Sequence, residues 1–143
     1  VDIEAPRETL QRSGRGFKRT RKATVCVDLD GVLATPVSGG MTKIGPPVAG
    51  ALEFMRTLSE TAEIVILSAR LATSGTTLRA RADAVTGWLE GHGIPFDRIH
   101  TGPGKPMAHA YVDDRAVPCR PLDDGPPAFA RALDAIGTLT GEE

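Results

Sequence analysis

Ala23-Thr-Val-Cys-Val27, followed at once by Asp28-Leu-Asp-Gly31, is the stretch that decides how the rest of the chain is read. A short apolar, β-branched run that breaks off into charged residues and a glycine describes a buried strand whose carboxyl end opens into a loop. Downstream the same arrangement recurs. Glu63-Ile-Val-Ile-Leu67 ends at Ser68-Ala-Arg70, and Ala108-His-Ala-Tyr-Val112 ends at Asp113-Asp114. Ile94 to His100 reads as a shorter strand between them, closed by the turn Gly102-Pro-Gly-Lys-Pro106.

The segments between these runs have helical spacing. Val48 to Glu60 carries an apolar stripe at Val48, Leu52, Met55 and Leu58, and Leu78, Ala82, Val85 and Leu89 form another through Glu90. Gly91 and Gly93 stop that second helix. Pro126 to Leu139 reads as a closing helix with Phe129, Leu133 and Ile136 inward, while Thr35 to Pro47 and Leu71 to Thr77 read as loops. Buried strands separated by helices predict an α/β fold, a three-layer α/β/α sandwich around a mostly parallel, Rossmann-like sheet. In such sheets ligands sit beyond the carboxyl ends of the strands. Asp28, Asp30, Ser68, Asp113 and Asp114 all follow predicted strands, so they are expected to converge at one edge.

Composition sets the outer bounds. The 143 residues are 41% hydrophobic and 24% charged, as in a chain that buries one core. No apolar run nears the roughly 20 residues of a membrane span, and no signal-like stretch opens the chain. Cys26 and Cys119 match no metal-ligand spacing, and a reducing cytoplasm is the expected setting. Cys26, inside the first run, reads as a small core residue. The net charge of -1 conceals a basic leader of about +4 through Lys22. Residues 1–22 are expected to be a flexible tail and 23–143 the folded domain. Such a tail either attracts a polyanion such as nucleic acid or is simply solvated.

Four carboxylates at one edge repel one another unless a cation joins them. An all-oxygen donor set suits a hard divalent ion, and one shared with phosphate suits Mg²⁺. Lys105 adds a positive charge, and Ser68 offers a hydroxyl and a turn N–H to a phosphate oxygen. Each residue also has a plainer reading. Asp28 and Asp30 would serve an Asx-rich turn, Ser68 would cap a helix, and Lys105 would be an ordinary exposed lysine. Asp113 and Asp114 would lie in a solvated turn. Arg70 and Arg115 either bind a phosphate or brace the acidic cluster through bidentate pairing. His92, His100 and His109 share no ligand spacing and read as structural. Trp88 reads as packing, and Arg79 and Arg81 as a solvated helix face.

Taken in order, Asp28-Leu-Asp-Gly31, Ser68, Gly104-Lys-Pro106 and Asp113-Asp114 resemble the motifs of the haloacid dehalogenase superfamily, over roughly Ala23 to Pro121. The resemblance implies a Mg²⁺-dependent phosphatase in which Asp28 attacks phosphorus and Asp30 acts as acid and base. It implies Asp28, Asp30 (through its carbonyl), Asp113 and Asp114 around the metal, and Ser68 and Lys105 on the phosphoryl group. Ser68, Ala69, Arg70, Lys105 and Arg115 are the implied substrate-binding residues. An acid at Asp30 favours phosphoester chemistry over dehalogenation, and the short segments 31–63 and 69–104 imply no cap domain.

More narrowly, Ser68-Ala-Arg70, Trp88-Leu89, His92-Gly-Ile-Pro95 and Tyr111-Val-Asp-Asp-Arg-Ala116 look like small phosphatase-like proteins of capsule and lipopolysaccharide gene clusters and of phages. The Ser-x-Arg and Asp-Asp-Arg pieces are also similar to the 3′-phosphatase domains of polynucleotide kinases. The expected substrate is thus a sugar phosphate, a nucleotide or a polynucleotide 3′-phosphate, with a homo-oligomer as one way to cover an open site. Two other readings stand beside it: a non-catalytic binding module on the same fold, and a nucleic-acid end-processing factor recruited by the leader.

Overall fold

The computed structural model describes residues 8–13 and 16–141, with side chains from Lys22 onward. Within the leader, where no regular element was expected, Glu8–Ser13 (β1) and Gly16–Arg21 (β2) pair antiparallel as a sheet of their own. The basic side chains before Lys22 lie outside the described residues. Four further strands follow: Ala23–Asp28 (β3), Ala62–Leu67 (β4), Arg98–Ile99 (β5) and Ala110–Val112 (β6). They form one all-parallel sheet in the order β5-β4-β3-β6. The helices Ala51–Ser59 (α1) and Gly75–Gly91 (α2) connect β3 to β4 and β4 to β5. This is an α/β fold, and no cap domain is evident among the described residues.

Alternation along the strands separates two environments. Val25, Val27, Ile64 and Ile66 join Met55 of α1 and Val85 and Leu89 of α2 in the main core. Fully burying each such side chain contributes about 1.5–3 kcal/mol. The intervening Cys26 and Val65 form a smaller cluster with Leu67, Ala108 and Tyr111.

Several boundaries differ from the sequence expectation, each for a local reason. The first helix begins at Ala51 rather than Val48, because Pro47 bridges Ala34 and the Val48 N–H donates to the Leu33 carbonyl at 2.8 Å. Only Arg98–Ile99 of the expected strand 94–100 is in the sheet. Pro95 has no N–H to give a ladder, and the Asp97 carboxylate takes the Ile64 N–H at 2.7 Å in place of a backbone carbonyl. Likewise β6 starts two residues late, since His109 Nδ1 accepts the Thr24 N–H at 3.0 Å.

The chain divides into two compact units, residues 1–113 and 114–143. The second holds Pro121–Asp124 (α3) and Pro127–Thr140 (α4). Here the inward face was misjudged. Ala128 and Ala132 are buried, whereas Phe129, Leu133 and Ile136 are 57%, 69% and 44% exposed. Both stripes satisfy the 3.6-residue period, and spacing alone cannot say which is covered.

Candidate active site at the carboxyl edge

β3 lies between β4 on one side and β6 on the other, so the chain order reverses about it. A crevice at such a switch point is where open parallel sheets receive ligands. Asp28 is the last residue of β3, and the chain then folds tightly back. Leu33 and Ala34 both donate to the Leu29 carbonyl at 2.9 Å, and Gly31 donates to the Ala34 carbonyl at 2.9 Å. Gly31 makes this turn at φ 87°, a left-handed conformation that favours glycine. Leu29 and Leu33 are fully buried and anchor the turn, while Asp28 and Asp30, on either side of Leu29, stay half-buried. The Leu29 N–H donates to Asp28 Oδ1 at 2.9 Å and orients that carboxylate.

Sheet register brings the second acid in. Val27 pairs with Val112, so Asp28 and Asp113 each stand one residue beyond a matched pair on neighbouring parallel strands. One carboxylate oxygen from each of Asp28, Asp113 and Asp114 lies within 4.8 Å of the others. Asp114 is joined to Asp113 by the peptide bond, and both are exposed. Oxygens around a Mg²⁺ ion bind at about 2.0–2.1 Å, and opposite ligands therefore stand about 4 Å apart. The donor set and its spacing fit a hard divalent cation with little movement.

The third strand end is wired differently. Ser68 closes β4 and caps the single 3-10 turn Ala69–Leu71, its Oγ accepting the Arg70 N–H at 3.2 Å. The plainer reading of Ser68 is thus present in the structure. Arg70 turns back onto Asp30. Its Nε donates to Oδ2 at 2.6 Å and its Nη2 to Oδ1 at 2.8 Å, while Nη1 donates to the Met41 carbonyl at 2.8 Å. Hydrogen bonding to Asp30 pushes the Arg70 guanidinium further above its already high range, against the opposing effect of burial. Of the two roles considered for Arg70, bracing is the one seen here.

Sequence reasoning missed the supports of this arrangement. Arg81, read as a solvated helix residue, donates from Nη1 to the Arg70 carbonyl at 3.2 Å. Trp88, read as packing, also donates its indole N–H to the Gly45 carbonyl at 2.9 Å and so holds the 35–47 loop. Gly45 has no alternative, because a Cβ there would stand 1.9 Å from the Thr35 carbonyl oxygen. An arginine two residues after a strand-end serine, opposite Asp-x-Asp, was the one available signal for the Arg70 pair.

The remaining candidates lie on the segments that follow β4, β5 and β6 in the chain. Ala69 is exposed in the first position of the 3-10 turn. Lys105 is exposed, with Nζ 4.3 Å from the centroid of the Tyr111 ring, a cation–π arrangement. The Tyr111 hydroxyl donates to the Pro106 carbonyl, and His100 Nε2 lies 3.0 Å from the Gly104 carbonyl, so the turn carrying Lys105 is pinned from both sides. Arg115 is exposed just past the acidic pair. Cys26 is buried, and desolvation pushes its thiol up to about 11 despite the opposing charges of Arg98 and Lys105. That thiol is a core group, as expected.

The chain matches no family model, and no curated protein matches it. Among solved structures it is similar to a conserved protein from Bacteroides thetaiotaomicron, at 25% identity and a TM-score of 0.48 over 68% of this chain and 79% of the other. It is also similar to a structural-genomics target from Vibrio cholerae, at 26% identity and a TM-score of 0.49 over 78% and 98%. Among the described residues no helix is long and apolar enough to cross a membrane.

Proposed function

We propose that this chain is a capless phosphomonoester hydrolase of the haloacid dehalogenase type, dependent on Mg²⁺, with Asp28 as nucleophile. The observation that carries the reading is the meeting of Asp28 with Asp113 and Asp114 at the switch point of the sheet. Asp28, the Asp30 carbonyl, Asp113 and Asp114 are the residues that would hold the ion. When bound, Mg²⁺ neutralises phosphate charge and orients the phosphoryl group against the nucleophile.

The chain's own groups account for both halves of the reaction. An Asp28 oxygen bonds to phosphorus as the bond from phosphorus to the leaving oxygen breaks, and the Asp30 carboxyl gives its proton to that oxygen. Asp30 then accepts a proton from water, the water oxygen bonds to phosphorus, and the acyl phosphate bond to Asp28 breaks to release inorganic phosphate. Two displacements of lower barrier replace a single difficult one. Ser68 and Lys105 hold the transferring oxygens and offset their charge. With Asp113, Asp114 and Lys105 exposed, the site suits a phosphate at the end of a larger molecule, whether a sugar, a nucleotide or a polynucleotide 3′-end.

The test is phosphate release from sugar phosphates, nucleotides and 3′-phosphorylated oligonucleotides, with and without Mg²⁺. We expect release from at least one class that needs both Mg²⁺ and Asp28. Equal release by wild type and Asp28→Asn overturns the nucleophile assignment, and no release from any class overturns the hydrolase reading.

A further inference from the structure

Building on the hydrolase reading, we propose that Arg70 is a positioning residue: it fixes the Asp30 carboxylate for proton transfer at the leaving-group oxygen and ties it to the 35–47 loop. The geometry on which this rests is a two-point grip, at 2.6 and 2.8 Å, by a side chain that is 8% exposed on a carboxylate that is 31% exposed. Bidentate pairing fixes the plane of a carboxylate as well as its distance, which a single contact does not. A carboxylate has about four lone-pair positions, so the grip leaves capacity for a proton in flight.

Arg70 is itself held at every point where it could turn. Its N–H is taken by Ser68 Oγ, its carbonyl by Arg81, and its remaining guanidinium nitrogen, Nη1, by the Met41 carbonyl. Met41 belongs to a loop that the Trp88 indole and the Thr35-to-Pro46 hydrogen bond close upon itself. Each guanidinium nitrogen thus donates at least once inside the protein, and the side chain is 8% exposed, so Arg70 serves the reaction through Asp30.

The two roles separate by leaving group. 4-Nitrophenolate departs without a proton, whereas a benzyl alkoxide of similar shape needs one. For Arg70→Lys and Arg70→Gln in the full chain, formation of the aspartyl-phosphate from benzyl phosphate is expected to slow about 100-fold, within the range of general acid catalysis. The pre-steady-state burst from 4-nitrophenyl phosphate is expected to stay within about threefold of wild type, since that step draws little on the acid. In an Asp30→Asn background, Arg70→Lys should add no further loss.

Equal slowing of both substrates, or additive losses with Asp30→Asn, overturns the positioning role while leaving the hydrolase reading intact. Failure of both Arg70 variants to fold also counts against it, since that makes the arginine a determinant of the fold. A wild-type protein with no Asp28-dependent release of 4-nitrophenolate, in burst or in steady state, overturns the underlying reading instead, and the inference goes with it.

Discussion

Two arginine–carboxylate pairs in this molecule share their chemistry and differ in everything that decides its use. Arg70 and Asp30 meet at the carboxyl edge of the sheet through two well-formed hydrogen bonds, with the acid 31% exposed. Arg98 of β5 and Glu63, near the start of β4, meet where the acid is 1% exposed, and Arg98 Nη2 approaches Oε1 at 3.0 Å without the angle of a hydrogen bond. The edge pair has good geometry and partial access to water, so its charges are inexpensive to keep and free to act. The inner pair has been taken almost wholly out of water, where desolvation is costly and attraction barely compensates. The difference teaches that location, not residue type, decides whether an ion pair stays available for chemistry or is sealed into the fold.

The sharpest way to break that comparison is to remove the acid from each pair. Asp30→Asn is expected to cut turnover of a substrate with a poor leaving group by on the order of 10² to 10⁴. Its melting temperature should fall less than that of Glu63→Ala, because the asparagine carbonyl oxygen still accepts one Arg70 N–H. Steady-state kinetics alongside thermal melting reads both quantities. A large fall in stability with unchanged turnover per folded molecule would place the edge pair with the inner one.

Glu63→Ala should behave in the opposite sense. It leaves the Arg98 charge buried without its counterpart, which costs about 3–5 kcal/mol of stability. Activity per folded molecule should not change. The double replacement Glu63→Met with Arg98→Met is expected to recover to within about 1 kcal/mol of wild type, because an apolar pair of similar volume needs no desolvation. Denaturant titration of the three proteins measures this directly. A double variant as unstable as the single one would mean that the pair itself, and not the orphaned charge, carries the energy.

A smaller effect tests how far the edge pair depends on its supports. Trp88→Phe removes the indole donor to the Gly45 carbonyl but keeps an aromatic body against the core. The loss of one hydrogen bond should cost about 1 kcal/mol. Since that loop also receives Arg70 through Met41, kcat should fall further than the stability change predicts while KM stays near wild type. A change in KM alone would detach the loop from the positioning of Asp30.

How much of this was legible beforehand follows the same division. Three strands of the parallel sheet, β3, β4 and β6, announced themselves, because apolar β-branched runs ending in polar residues have few other uses, whereas the polar β1 and β2 of the leader gave no such signal. The acids after β3 and β6 accordingly meet at one edge. The pairing of Asp28 with Asp113 came from register, which the sequence implies only once β6 is known to lie beside β3. Side-chain wiring was less readable. Arg81 and Trp88 act on backbone carbonyls of remote loops, and a carbonyl leaves no trace in a sequence pattern. The misjudged face of α4 has a related cause: Ala128 and Ala132 make as regular a stripe as Phe129 and Leu133, and size was given more weight than it can bear.

The inner face also contains its own reporter. Cys26 lies on the strand face that carries Arg98 and Glu63, and its thiol is shifted from 9.0 to about 11, chiefly by desolvation, with Arg98 and Lys105 pulling the other way. Because the folded state keeps the proton longer than the unfolded chain does, the associated stability is fully present below about pH 9. It is lost as the pH rises through 9 toward 11. At neutral pH the effect vanishes, which makes it the smallest of those considered. Unfolding free energies at pH 8 and pH 10 should differ more for wild type than for Cys26→Ala, while Cys119, exposed in both, contributes equally.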